Sequence, residues 1–407
     1  MTNGLNAMSF PLDNLRVLDF GQGIAGPYCA QLLGDHGAQV IKIEPGRGDW
    51  SRTMGSQDAI SGLSGAYISV NRNKRGICLD LKHPIGLRIA RSLVLQADVL
   101  IESFRPGVMD RLGLGYQSLR SEHPGLVYCD VTGFGSSGPN VGLPASDSVM
   151  QPYGGLMSIN GERDGEPLRI GNVVSDMVAG TNAFSGVLLA LLARGASGKG
   201  KRVSVSLLDS IVAFQASPLT EYLVTGQIPP RLGNDHPMTT PSGAFRTQDG
   251  SICLTVMDHM WTKFCQGIGV ENLVADPRFE TSNARQQNRD ALRALLNPVF
   301  ATRTSADWLL LLRRVDILCA PINAYPALVE DPQIRHNELL HWVAGAGGKR
   351  LPMLRNPVRL EGEPTRFEVP PAIGEHTRDV LAEVLGYSDT EIETAIIEGA
   401  VVCASPQ

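Results

Sequence analysis

Strand-like apolar runs alternate with helix-like stretches through the first half of this 407-residue chain, and that alternation predicts an α/β fold on a parallel sheet. Two further observations add a smaller second domain. The length exceeds what one hydrophobic core ordinarily holds. After a stretch of Pro, Gly, Asn, His and Thr between Gly226 and Thr240, which reads as a linker or loop, a new set of strands and helices begins.

The first predicted strand is Leu15–Phe20, followed by a glycine-rich turn and a helix over Pro27–His36. Gln39–Glu44 is the second strand. A polar stretch over 45–62 interrupts the pattern, which resumes with strand Gly76–Leu81 and helix Pro84–Gln96. Strand Asp98–Glu102, helix Gly107–Leu112 and strand Leu126–Val131 follow. Arg169–Val174 reads as an apolar strand leading through Asp176 into a helix that reaches about Arg194. The turn Gly198-Lys199-Gly200 opens strand Arg202–Val205, and Leu207–Val224 is helical. In the smaller domain the clearest elements are strand Ser251–Val256 and helices Asp290–Phe300 and Ser305–Arg314. The tail adds helices Thr377–Leu385 and Asp389–Glu398.

The formal net charge of -5 argues against a nucleic-acid partner, which needs a basic surface. The seven cysteines are scattered, form no C-x-x-C pair, and in two cases (Cys78, Cys129) sit inside apolar runs. Reduced thiols and no metal site are expected. Met1–Pro11 lacks the basic and apolar segments of an export signal. The longest strongly apolar stretch, near Ala183–Ala193, falls short of the ~20 residues a membrane span needs. A cytoplasmic protein with no membrane partner is the expectation.

Two local patterns hold chemistry. Gly21-Gln22-Gly23-Ile24-Ala25-Gly26 fits G-x-G-x-x-G between a strand and a helix, and Glu44 ends the next strand, where a dinucleotide enzyme holds a ribose hydroxyl. Three readings stand: dinucleotide binding, binding of another adenine nucleotide, or a tight turn that needs small residues. The second pattern is Asp176, read as the N-cap of the helix that follows it. A carboxylate at a positive helix end stays ionised and can serve as a nucleophile, and its apolar flanks Val174, Met177, Val178 and Ala179 would exclude water.

From Leu12 to about Val402 the chain resembles the class III CoA-transferases, a family that includes formyl-CoA transferase, carnitine-type CoA-transferases and α-methylacyl-CoA racemase. The motifs are Leu18-Asp19-Phe20 with Ala25-Gly26-Pro27, Val40-Ile41-Lys42-Ile43-Glu44, Asn73-Lys74-Arg75, Leu79-Asp80-Leu81-Lys82, Glu102-Ser103-Phe104-Arg105-Pro106-Gly107, Gly198–Val203 and Gly374-Glu375-His376-Thr377. So many in one order outweigh a lone glycine pattern. The resemblance implies a Rossmann-like large domain made of residues 1–225 and 326–407, a smaller α+β domain over 226–325, and two chains interlocked as a homodimer.

It also implies the chemistry. Asp176 falls where the family's nucleophilic aspartate stands, passing coenzyme A from an acyl-CoA to a free carboxylic acid through an aspartyl-CoA thioester. Ile24, Ala25, Leu79, Asp80, Leu81, Lys82, Ser103, Phe104, Arg105 and Arg111 fall on coenzyme A contacts. The chain departs from the family in places. Members often have Asn where Ser103 stands, and formyl-CoA transferase has Arg at the position of Pro45 and Gln at that of Ile24. A racemase is the nearest alternative, but that branch places a His directly before the position of Asp147, where this chain has Ser146. An NAD-dependent oxidoreductase built on the glycine turn is the second alternative. Arg169, Arg231 and His236 are candidate anchors for the second carboxylate of a dicarboxylic substrate.

Overall fold

The computed structural model describes residues 10–57, 62–345, 348 and 350–404. The segment read for an export signal, up to Ser9, and part of the polar stretch, 58–61, lie outside the described residues. By compactness the chain forms two units. One comprises residues up to Leu156, Ile170–Thr220 and Arg335 onward; the other comprises Met157–Arg169 and Glu221–Ile334.

The larger unit is built on a seven-stranded sheet. Its strands are β1 (Arg16–Asp19), β2 (Gln39–Glu44), β3 (Lys74–Leu79), β4 (Val99–Glu102), β5 (Val127–Thr132) and β6 (Arg202–Ser206), with β12 (Val401–Val402) at one edge. The order is β12-β3-β2-β1-β4-β5-β6. All neighbours pair in parallel except β12, which runs antiparallel to β3 with Val401 opposite Leu79. Strand order reverses between β1 and β4, and in such sheets the crevice beyond the strands' carboxyl ends at the reversal takes the ligand.

Both faces of the sheet are covered, which explains the near-continuous apolar strands. On one face Leu18, Ile41, Ile77, Leu100 and Tyr128 pack with the helices Pro84–Val94, Thr377–Leu385 and Asp389–Ile397. On the other, helix Ala25–Asp35 and the long helix Val174–Ser197 pack on β1, β5 and β6 and on each other. Ala179, Ala183, Val187 and Ala190 form the long helix's buried stripe. Among the described residues this helix alone is long and apolar enough to cross a membrane by length and composition. It therefore extends well past the Ala183–Ala193 run that looked too short in the sequence. One face packs on protein, while Leu189 and Leu192 are 67% and 76% exposed.

Two expectations fail here. Residues 169–173 form no strand, because no neighbouring strand offers them a ladder; an apolar composition alone does not make one. Leu207–Val224 is two helices, Leu207–Phe214 and Ala216–Thr225, with Gln215 between them.

The smaller unit has a three-stranded antiparallel sheet of β7 (Ser242–Arg246), β8 (Ser251–Thr255) and β9 (Leu318–Pro321). Its core is aromatic: Phe245, Phe264, Phe300 and Trp308 are buried together. In the larger unit β10 (Leu340–Ala344) and β11 (Arg350–Leu354) form a separate hairpin.

Candidate active site

The glycine turn after β1 is closed by its own protein. Gly21 N–H donates to Asp19 Oδ1 at 2.9 Å, Gln22 N–H to Ser103 Oγ at 2.9 Å, and Gly23 N–H to Asp49 Oδ1 at 3.1 Å. Gly23 has φ +79°, and a Cβ there would lie 2.4 Å from the Trp50 ring. Glu44 is buried and accepts from Arg52 through Nε at 2.8 Å and Nη2 at 2.6 Å. The dinucleotide reading needs free N–H groups for a pyrophosphate and a free acid for a ribose. Gly21, Gln22 and Gly23 N–H and the Glu44 carboxylate are all taken by the protein itself, which counts against that reading.

Beneath the turn lies a buried ion network. Lys42 Nζ donates to Asp49 Oδ2 and to Gly21 O, each at 2.9 Å. Lys74 Nζ donates to Asp19 Oδ2 and Pro27 O at 2.8 Å and to Asn71 Oδ1 at 2.9 Å. Burial pushes Lys74 down to about 8 against the pull of Asp19. For Asp49 burial acts upward, but the Lys42 ammonium and the N–H donors outweigh it and hold the carboxyl below its usual range. These contacts fix the turn's backbone.

The residues expected to meet coenzyme A sit at the end of β3 and after β1, β3 and β4. Ile24, Ala25 and Leu79 are buried. Ser103 Oγ accepts from Gln22 N–H and donates to Gln22 O at 3.2 Å, which joins the end of β4 to the glycine turn across the sheet's reversal. Leu81 and Phe104 pack against the core. Asp80 is exposed and its carboxylate accepts Lys82 N–H at 2.9 Å. Lys82, Arg105 and Arg111 are exposed and, among the described residues, have no ion-pair partner. Three uncommitted cations at one end of a sheet suit phosphate groups.

Asp176 is half-buried and is not an N-cap. The long helix begins two residues earlier, with Val173 at the cap position. The capping oxygen comes from elsewhere: Asp147 Oδ1 accepts Ser175 N–H at 2.9 Å and Ser175 Oγ–H at 2.7 Å. Asp176 thus stands third in the helix, and among the described residues its carboxylate has no hydrogen bond or ion pair. Burial, with the nearby Asp147 charge adding to it, pushes Asp176 up to about 7. An unpaired carboxylate of raised basicity is a candidate nucleophile.

Gly180 brings the two halves of the site together. A Cβ on it would lie 2.8 Å from Ala25 O and 2.9 Å from Tyr28 Cδ1. The long helix, one turn past Asp176, therefore rests directly on the turn that holds Ile24 and Ala25. Of the proposed anchors for a second carboxylate, Arg231 is engaged structurally, donating to Gly165 O at 2.9 Å and Glu162 O at 3.4 Å. His236 is exposed and its Nδ1 accepts Met238 N–H at 3.1 Å; Arg169 is exposed. Asp49, Arg52 and Gln151 escaped the sequence reading, and Asp147 entered it only for the residue before it. The available signal was spacing: Asp147 and Gln151 stand four apart, on one face of a helix.

Comparison with known proteins gives the family. A family model described as CoA-transferase family III matches residues 12–377. Succinyl-CoA:glutarate CoA-transferase of Mus musculus is 33% identical over 96% of this chain and 90% of its own. Succinate–glutarate CoA-transferase of Agrobacterium fabrum is 35% identical, over 92% of this chain and 96% of its own. Acetyl-CoA:oxalate CoA-transferase of Acetobacter aceti is 37% identical, over 89% and 92%. The crystal structure of a CAIB/BAIF family protein from Brucella suis superposes with a TM-score of 0.84 at 34% identity, covering 92% of this chain and all of that one. With the match spanning both units and most of each relative, the chain belongs to CoA-transferase family III and is a CoA-transferase.

Proposed function

We propose that Asp176 carries coenzyme A covalently between two small carboxylic acids. The observation behind this is the unpaired carboxylate of raised basicity on a helix that rests against the Ile24–Ala25 turn. Asp176 attacks the carbonyl carbon of the donor thioester; the C–S bond breaks and the electron pair leaves on sulfur, giving a mixed anhydride and the thiolate. The Asp176 carbonyl carbon then takes the thiolate, its anhydride C–O bond breaks, and the donor acid departs as a carboxylate. The acceptor carboxylate runs the same two steps in reverse and restores Asp176. Thioester energy is conserved, and no proton is needed from solvent. Lys82, Arg105 and Arg111 would neutralise the cofactor's phosphates.

Incubation with acyl-CoA and hydroxylamine tests this directly. Peptide mass spectrometry is expected to find a hydroxamate on Asp176. The Asp176→Ala protein is expected to lose about 10⁴-fold in transfer rate or more. Transfer at the parental rate in that variant would end the proposal.

The relatives are named for succinyl, glutarate and oxalate substrates, which favours small dicarboxylic acids here too. A panel of acyl-CoA donors and mono- and dicarboxylate acceptors separates these classes. The working protein is read as a cytoplasmic homodimer. Helix Ala216–Thr225 buries no residue in a single chain, and Leu223 and Val224 are 72% and 79% exposed, as expected of surface that a second copy covers. A monomeric mass by light scattering would remove that part of the reading.

A further inference from the structure

We propose that Gln151 is a positioning residue for coenzyme A transfer, its side-chain amide holding the segment that aims Asp176. The inference rests on the nucleophile reading above. Gln151 is fully buried, one helical turn after Asp147 on the helix Asp147–Tyr153. Its Oε1 accepts Ile170 N–H at 2.8 Å. Its Nε2 faces three acceptors: Asp147 Oδ2 at 2.8 Å, Asn172 O at 3.1 Å and Ile170 O at 3.3 Å. The other oxygen of Asp147 holds the N–H and hydroxyl of Ser175, the residue directly before Asp176.

One amide therefore fastens both the 170–172 segment and the carboxylate that receives the helix's first turn. That segment belongs to no strand or helix, so no backbone ladder holds it. The clamp replaces the missing ladder. Polarity matters as well as shape. A glutamate here would set a carboxylate against three oxygens, and a methionine would fill the space with no polar contact and leave Ile170 N–H without its acceptor. A nucleophile must be held close to its attack geometry, and a displacement of about 1 Å slows reaction about 10²-fold.

The experiment is a single turnover of the full-length protein with acyl-CoA, quenched into hydroxylamine, comparing the parent with Gln151→Met and Gln151→Glu. The amount of label on Asp176 reports how many sites are competent; its rate of appearance reports alignment. A glutamine that merely completes the core would lower the amount and leave the rate per site alone. The clamp predicts a rate lower by about 10²-fold at an amount near parental. A rate within about threefold of the parent overturns it. Should neither variant fold, Gln151→Asn decides. It keeps the amide and moves it by one methylene, so labelling slowed about tenfold supports the clamp and a parental rate overturns it. Asp176→Ala runs alongside. If it still transfers coenzyme A at the parental rate, the nucleophile reading falls; if it is inactive while Gln151→Met labels at the parental rate, only the clamp falls.

Discussion

The larger unit treats two sets of carboxylates in opposite ways. Under the glycine turn each acid has its cation: Asp19 meets Lys74, Glu44 meets Arg52 and Asp49 meets Lys42. At the start of the long helix, Asp147 and Asp176 meet none among the described residues. Paired charges hold backbone in place. Burial and the neighbouring Asp147 charge, with no cation to offset them, raise the proton affinity of Asp176, which is an arrangement found where a side chain has to react. The contrast separates scaffold from chemistry more sharply than burial does, since both sets are largely out of solvent.

If that division is right, damage to the network should be felt as stability and damage to the pair as rate. The largest effect is expected from Arg52→Ala, which leaves Glu44 buried without its cation. Unfolding by denaturant should become easier by about 3–5 kcal/mol, and an unchanged midpoint would mean the network is not structural. Gly180→Ala comes next. The added methyl has only 2.8 Å to Ala25 O, so about 1–3 kcal/mol of strain is expected, together with slower labelling of Asp176 as the helix lifts off the turn.

The third expectation is a pH dependence. The ionised form of Asp176 is the nucleophile, so the single-turnover rate should rise with pH through about 7. Asp147→Asn removes the neighbouring charge and should move that midpoint down by about one unit, equivalent to ~1.4 kcal/mol. A midpoint that stays put would remove Asp147 from the electrostatics. Stability carries the opposite sign. The folded state holds this proton more tightly than the unfolded chain, whose carboxyl titrates near 3.8. Ionisation between about pH 4 and 7 therefore lowers stability. Asp176→Asn should melt at a higher temperature than the parent at pH 8, with the gap shrinking as pH falls toward 4. The smallest effects belong to the solvent-facing cations. Lys82→Ala, Arg105→Ala and Arg111→Ala should each raise KM for acyl-CoA about three- to tenfold with kcat kept, and less so at high salt.

The sheet was the legible part. β2 runs over Gln39–Glu44 as its residues suggest, and β1, β4 and β5 shift by a residue or two, because strands buried on both faces are continuous apolar runs. The helix Thr377–Leu385 was equally plain. What stayed hidden depends on partners distant in sequence. Asp176 looked like a cap because Asp suits that position, yet the capping oxygen arrives from Asp147 on another helix. Residues 169–173 looked like a strand because a run of apolar residues does not reveal whether a ladder awaits it. The glycine turn looked like a phosphate cradle because its pattern is silent about Asp49 and Ser103, which take two of its N–H groups.

The short antiparallel strand β12 has a bearing on how the protein is made. Val401 hydrogen-bonds along Leu79, and Ala400 O accepts Asp80 N–H, at a stretch whose residues the family resemblance assigns to the cofactor. That edge is finished by a segment that lies far along the chain from β3. Until β12 has been made, β3 stands as an open sheet margin, the kind of margin that chaperones shield.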